Sequence, residues 1–210
     1  MIYLIGGPPR CGKTTLAKAM FKQRGIPWIS CDMLQTVVGE YMTQKQWNKL
    51  HPYSLLRKKL KTNDEFYSKL SAQKIVSVLR RQARPVFPAI DMAAICEIAD
   101  GNSYVIEGYH IEPSFAHKLI KKYGRNKIKA IFIIKKDAAK FAVDVHKSTT
   151  PNDWLIVGTK KPETFLKVGN MVSLYSSYLE KEAKKYGFKV LNMDENFEKK
   201  LLEAVKYLKS

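Results

Sequence analysis

The chain has 210 residues, 37 basic and 19 acidic, so its formal net charge is +18, and 45% of its residues are hydrophobic. An apolar fraction of that size, spread along the whole length, excludes a disordered chain and suits one folded domain over 1–210. No apolar run approaches the roughly 20 residues of a membrane span, so no membrane partner is expected.

The positive excess is evenly divided, with 16 basic and 7 acidic side chains in residues 1–105 and 21 and 12 in residues 106–210, or +9 in each half. There is no basic tail. Seven of the cations are arginine: Arg10, Arg24, Arg57, Arg80, Arg81, Arg84 and Arg125. A guanidinium grips phosphate with two parallel bonds where lysine acts as a point charge, so each arginine is a better site candidate than any one lysine. The cysteines Cys11, Cys31 and Cys96 are odd in number and lack CxxC spacing. A soluble, untargeted, cytoplasmic protein is therefore expected.

In chain order, the apolar run Ile2 to Ile5 reads as a strand, GGPPRCGKTT as a loop, and the stretch with Leu16, Ala19 and Met20 as a helix closed by Gly25. IPWIS at 26–30 is a second short strand, ending at Cys31 and Asp32 with another helical stretch beyond. Residues 33–100 contain no convincing strand and read as a helical insertion. Its clearest helix is predicted over 63–83, opened by Asn63, Asp64 and Glu65; Pro85 and Pro88 break the pattern, and a helix over about 89–100 stops at Gly101.

YVIEGYHI at 104–111 gives a third strand ending in Glu107 and Gly108, and a helix follows near 113–123. KAIFIIKK at 129–136 is a fourth strand, apolar enough to be buried on both faces. Residues 138–182 read as helix, an irregular polar stretch over about 148–162, and helix again; FKVLNM at 188–193 and a helix over about 196–208 finish the chain. Short apolar strands separated by helices predict an α/β fold with a five-stranded parallel sheet covered on both faces.

Gly7, Gly12, Lys13 and Thr14 satisfy GxxxxGK[ST] between a predicted strand and a predicted helix. In that context the backbone of Gly7, Pro8, Pro9, Arg10, Cys11, Gly12, Lys13, Thr14 and Thr15 is expected to surround the polyphosphate of ATP, aided by the positive end of the helix. Lys13 would reach the β and γ phosphates and Thr14 would place a hydroxyl on Mg2+. Cys11, flanked by Arg10 and near Lys13, is expected to be the most reactive thiol, unless it is a small buried filler.

On these residues the sequence resembles the P-loop NTPases and, among them, the adenylate-kinase-like small-molecule kinases, a set that includes 2-phosphoglycerate kinases, shikimate-type kinases, zeta-toxin-like kinases and chloramphenicol phosphotransferase. The loop, the Asp after the second strand in ISCD and the segment VIEGYHI carry the likeness. It implies a three-layer P-loop kinase fold in which 33–100 is the acceptor-side insertion and 147–162 a short lid. Asp32 is also placed by geometry, at the C-terminal end of a parallel strand taken to adjoin the loop strand, where it could accept an acceptor hydroxyl's proton or help hold magnesium. It could equally cap the helix that follows.

The resemblance gives Glu107 a water-mediated contact to the metal, against an ordinary strand terminus, and lets Gly108 leave room for substrate. His110 is a weaker candidate beside a packed structural histidine. Arg57, Arg80, Arg81 and Arg84 lie in the insertion, where a phosphorylated or carboxylated acceptor would need a guanidinium; adjacent arginines on a helix point about 100° apart, so at most one of Arg80 and Arg81 should face the site. The lid stretch offers Lys147, Lys160 and Lys161 but no arginine, a departure from similar kinases. The leading expectation is an ATP- and Mg2+-dependent phosphotransferase acting on a hydroxyl of a small molecule. A polynucleotide 5'-hydroxyl kinase, for which the charge argues, and a nucleotide-binding module without acceptor are the alternatives.

Overall fold

The computed structural model describes residues 1–148 and 152–209. Five strands, β1 (Ile2–Gly6), β2 (Trp28–Ser30), β3 (Tyr104–Gly108), β4 (Ile128–Ile134) and β5 (Lys189–Asn192), form one parallel sheet in the order β2-β3-β1-β4-β5. β1 lies at the centre, paired through Ile5↔Glu107 to β3 and through Ile5↔Ile131 to β4. Ile2, Leu4 and Ile5 are fully buried, as a strand with helices on both faces requires.

The order corrects one expectation. β2 does not adjoin the loop strand; β3 stands between them, with Ser30 opposite Glu107. Asp32 and Glu107 therefore leave neighbouring strands at the same end of the sheet, beside the loop that follows β1.

Helix α1 (Lys13–Arg24) runs from the loop and ends at Gly25, whose left-handed φ of 66° lets its N–H bond back to the Phe21 carbonyl. Then come α2 (Cys31–Glu40), α3 (Gln44–Leu50), α4 (Pro52–Lys59), α5 (Asn63–Lys69), α6 (Ala72–Ala83) and α7 (Phe87–Ala99), so the stretch between β2 and β3 is helical, as predicted. The helix expected over 63–83 is divided: Leu70 is extended, and the Ser71 hydroxyl accepts from Lys74 N to start α6 afresh. The prolines do not end the helical path. Pro85 sits in a 3-10 turn and Pro88 in the first turn of α7, where a missing N–H is no loss.

Beyond β3 come α8 (Pro113–Tyr123), α9 (Ala138–Asp144), the four-residue α10 (Trp154–Val157), α11 (Pro162–Lys185) and α12 (Phe197–Lys209). Of the lid-like stretch, Thr149, Thr150 and Pro151 lie outside the described residues. Among the described residues no helix is long and apolar enough to cross a membrane.

Arg80 holds the layers together. Its Nε donates to Glu112 Oε1 at 2.8 Å, its NH2 to the Tyr178 hydroxyl at 2.6 Å, and its guanidinium lies 3.8 Å from the Tyr178 ring centre. This ties α6 to the start of α8 and to α11 and engages Arg80 Nε and NH2 in packing. Because Glu112 is only 4% exposed, Arg80→Ala strands a buried carboxylate, and we expect a loss of about 2–3 kcal/mol in urea denaturation with nucleotide affinity unchanged. A loss within error of zero would mean that Glu112 finds water instead.

Candidate functional site

The site is built on the C-terminal edge of the sheet, starting from the loop after β1. Gly12 precedes α1 with φ 97°, and a Cβ there would lie 2.8 Å from the Phe197 ring, so both conformation and space demand glycine. Helix α1 has no side-chain cap and no acidic residue in its first turn. Its first N–H groups are thus left for an anion, and a polyphosphate fits that requirement.

Lys13 is buried at the centre of the loop, its Nζ donating to the Pro8 carbonyl at 2.7 Å. The Thr14 hydroxyl donates to Glu107 Oε1 at 2.7 Å, which joins loop and β3. Glu107 is 3% exposed, and burial raises its pKa against the opposing pull of Lys13 and Thr14, with Asp32 raising it further. Thr14, Glu107 and Asp32 are the groups available to a cation. Their oxygens are the donor type Mg2+ takes, alongside water and phosphate oxygens; among the described residues no cluster of three or more His, Cys, Asp or Glu forms.

Asp32 is not the cap of α2. Ser30 is: its hydroxyl accepts from Met33 N at 3.2 Å. Among the described residues the Asp32 carboxylate has no hydrogen-bond partner, although its main-chain oxygen accepts from Thr36. The side chain reaches solvent but stands in a recess whose desolvation raises its pKa, with Lys13 pulling the other way.

The candidate acceptor residues separate. Arg57, on α4, donates from NH2 to Asn63 Oδ1 at 2.7 Å and lies 4.8 Å from the Phe66 ring centre, while its NH1 is buried without a partner. The Tyr67 hydroxyl, close by and also buried, interacts with Tyr53. Tyr53 packs edge-on against Phe66 and lies within electrostatic reach of both Arg57 and Asp32. Arg81 and Arg84, by contrast, are exposed on an outer groove with Met42, Lys49, Leu50 and Pro85, away from the loop.

Gly108 does not make room for substrate. An added Cβ would meet Cys31 Cβ at 2.7 Å and His110 Nδ1 at 3.1 Å, so the missing side chain lets the start of α2 pack on β3. His110 is fully buried, with Nε2 3.0 Å from Gln35 Oε1, which also accepts from Gln82 and from the Tyr109 hydroxyl. Burial, with Lys13 and His51 nearby, lowers its pKa to about 3, so it stays neutral and braces α2 one turn after Asp32.

Lys147 pairs with Asp144, and the backbone N–H groups of Lys160 and Lys161 donate to Asp64 while their side chains are exposed. Two lid contacts escaped the sequence reading. Arg10 NH1 lies 2.6 Å from Asp153 Oδ2, and Asn63 Nδ2 donates to the Trp154 carbonyl at 2.9 Å and to the Thr159 hydroxyl at 3.0 Å. The scarcity of arginine was the one available signal for the first; Asn63 looked like a mere helix opener.

Cys11 is a buried filler and not a reactive thiol. It is fully enclosed, and burial pushes its pKa up to about 11 despite Lys13 and Lys135. Cys31 is raised by burial as well, and Cys96 is exposed.

The family model described as "ATPase family associated with various cellular activities (AAA)" matches residues 3–87, which run from within β1 through the loop, α1 and β2 to just past α6. Among solved structures the chain resembles a sugar kinase from Janibacter sp. HTCC2649 (13% identity, 99% of this chain and 94% of that one, TM-score 0.54). It also resembles a gluconokinase from Sinorhizobium meliloti 1021 (16% identity, 98% and 91%, TM-score 0.52). No curated protein matches in sequence. The resemblance to the P-loop NTPases holds, and the fold is that of the small P-loop kinases.

Two measurements check the site. Folding raises the pKa of Asp32, so the folded chain holds that proton more tightly than the unfolded one, and stability contributed by Asp32 falls as pH rises from the ordinary carboxylate range through the raised value. Asp32→Asn should therefore melt above wild type at neutral pH, with the difference closing in acid; a lower melting temperature at pH 7 would make Asp32 a structural residue. Alkylation followed by mass spectrometry should label Cys96 first and leave Cys11 to unfolding. Early labelling of Cys11 would contradict the closed loop.

Proposed function

We propose that this protein transfers the γ-phosphoryl group of ATP to a hydroxyl of a small acceptor that also carries a carboxylate or phosphate. The observation that carries this reading is the unpartnered Asp32 carboxylate at the strand ends beside Lys13 and Glu107. The fold shared with a gluconokinase and a sugar kinase supports it.

The chain's own groups divide the work. The open N–H groups at the start of α1 and the Lys13 ammonium take the charge of the β and γ phosphates. Asp32 accepts the acceptor's hydroxyl proton as the oxygen attacks the γ phosphorus and the bond to the bridging oxygen of ADP breaks. Its raised pKa makes it a stronger base than an ordinary aspartate. Thr14 and, through water, Glu107 and Asp32 are the residues that would hold Mg2+, whose chemistry is to offset phosphate charge.

Arg57 sets the acceptor class. Its NH1 is a buried donor without a partner, and an anionic group of the acceptor reaching α4 would satisfy it.

A screen with labelled ATP against neutral sugars, sugar acids, phosphorylated sugars, nucleosides and short RNA tests the reading. An anionic small acceptor is expected to turn over, with a rate that rises with pH through an apparent pKa above the ordinary carboxylate range. Asp32→Asn should lower kcat by about 100-fold or more while ATP affinity holds, and Lys13→Ala should abolish nucleotide binding. Arg57→Ala should raise the acceptor KM. Turnover of RNA 5'-ends alone would replace the small acceptor with a polynucleotide, and full activity of Asp32→Asn would remove the proposed base.

A further inference from the structure

The lid stretch carries no arginine, yet a guanidinium does stand at the junction of lid and loop. Arg10 belongs to the phosphate loop itself, and its backbone is left-handed with φ 66°. That conformation suits glycine and costs other residues on the order of 1 kcal/mol, so an arginine here needs a reason that lies in its side chain. The side chain is 18% exposed and meets Asp153, itself 3% exposed.

Asp153 is committed on one side only. Its Oδ1 accepts from Leu155 N and starts α10, whereas Oδ2, though 2.6 Å from Arg10 NH1, is buried without an aligned hydrogen bond. Among the described residues Arg10 has no other partner, so the rest of its fork is uncommitted. From α10 the contacts continue: Asn63 holds the Trp154 carbonyl and accepts from Arg57 on α4. The loop, the segment at α10 and helices α4 and α5 are thus joined by a chain of contacts that begins at Arg10.

We propose that Arg10 bridges the lid and the terminal phosphate: Asp153 holds one side of the guanidinium while its remaining N–H groups bind the γ-phosphate of a nucleoside triphosphate. A triphosphate, and not a diphosphate, then fastens the lid, and the loop supplies the arginine that the lid lacks. This rests on the ATP-dependent reading above and adds to it a residue that tells ATP from ADP.

Calorimetry with Mg2+ and either ADP or the β,γ-imido analogue of ATP tests it, using wild type, Arg10→Gly, Asp153→Asn and the double variant. Glycine suits the left-handed position, but Arg10→Gly leaves the buried Asp153 carboxylate without its cation, so it should melt below wild type. The double variant with Asp153→Asn, which removes that stranded charge, should recover much of the loss, and binding is read on both at a temperature where circular dichroism shows them folded. Arg10→Gly should bind ADP within about twofold of wild type but the analogue about tenfold more weakly, the scale of one lost charge-assisted hydrogen bond. Asp153→Asn keeps an oxygen for Leu155 N and should weaken the analogue selectively, and the double variant should be no worse than Arg10→Gly alone. Hydrogen exchange of the 153–159 amides should slow with the analogue in wild type and not in Arg10→Gly.

Equal weakening of ADP and analogue by Arg10→Gly, or no weakening of either, would overturn the bridge while leaving the kinase reading intact. Strictly additive effects of the two substitutions would likewise break the proposed pair. Wild type that binds neither nucleotide would remove both readings together.

Discussion

A lysine ammonium buried at the mouth of a parallel sheet is the constraint around which this molecule is arranged. Lys13 cannot leave water without partners, because a buried charge without compensation is costly. One carbonyl, from Pro8, answers it directly, and two carboxylates from neighbouring strand ends answer it at longer range. The strand order β2-β3-β1 makes that possible: β3 brings Glu107 beside the loop strand, and β2 delivers Asp32 one strand further out. Glu107 is then enclosed and fixed by Thr14, while Asp32 is left open to water.

That arrangement disfavours its own carboxylates. Both have raised pKa values because desolvation outweighs the pull of Lys13, so at neutral pH their ionised forms work against folding. The hydrophobic sheet and the Arg80–Glu112–Tyr178 contacts offset the strain from elsewhere in the fold. Where structure alone governs a buried carboxylate, as at Glu112, the partner is a bonded arginine at 2.8 Å. Asp32 has no such partner because its side chain reaches water, which solvates it in place of a guanidinium.

The sequence carried the loop and the five strands well, because both are local: a glycine spacing fixes the one, and runs such as Ile2–Ile5 and 129–136 announce the other by burial on both faces. Side-chain roles that depend on distant contacts were less legible. Nothing near Arg80 indicates that it will find Glu112 and Tyr178, and nothing near Gly108 shows that Cys31 will press against it. Cys11 failed for a related reason, since helix ends and cations favour a thiolate only if water can reach it, and the loop folds over this sulfur. The capping of α2 was decided by a single preceding residue, Ser30, which freed the Asp that had two possible duties.

The insertion and the lid are connected by hydrogen bonds that use backbone more than charge. Asn63 and Asp64, the first residues of α5, take the Trp154 carbonyl, the Thr159 and Thr164 hydroxyls and the Lys160 and Lys161 N–H groups. Such bonds are directional, so α10 is fixed in orientation and not merely attracted. A lid tethered in this way cannot reposition an arginine of its own over each new phosphate without breaking several bonds at once. Placing the guanidinium on the loop removes that demand: the lid keeps its grip on the acceptor-side helices through Asn63, and only the Arg10–Asp153 contact has to respond to what the loop holds.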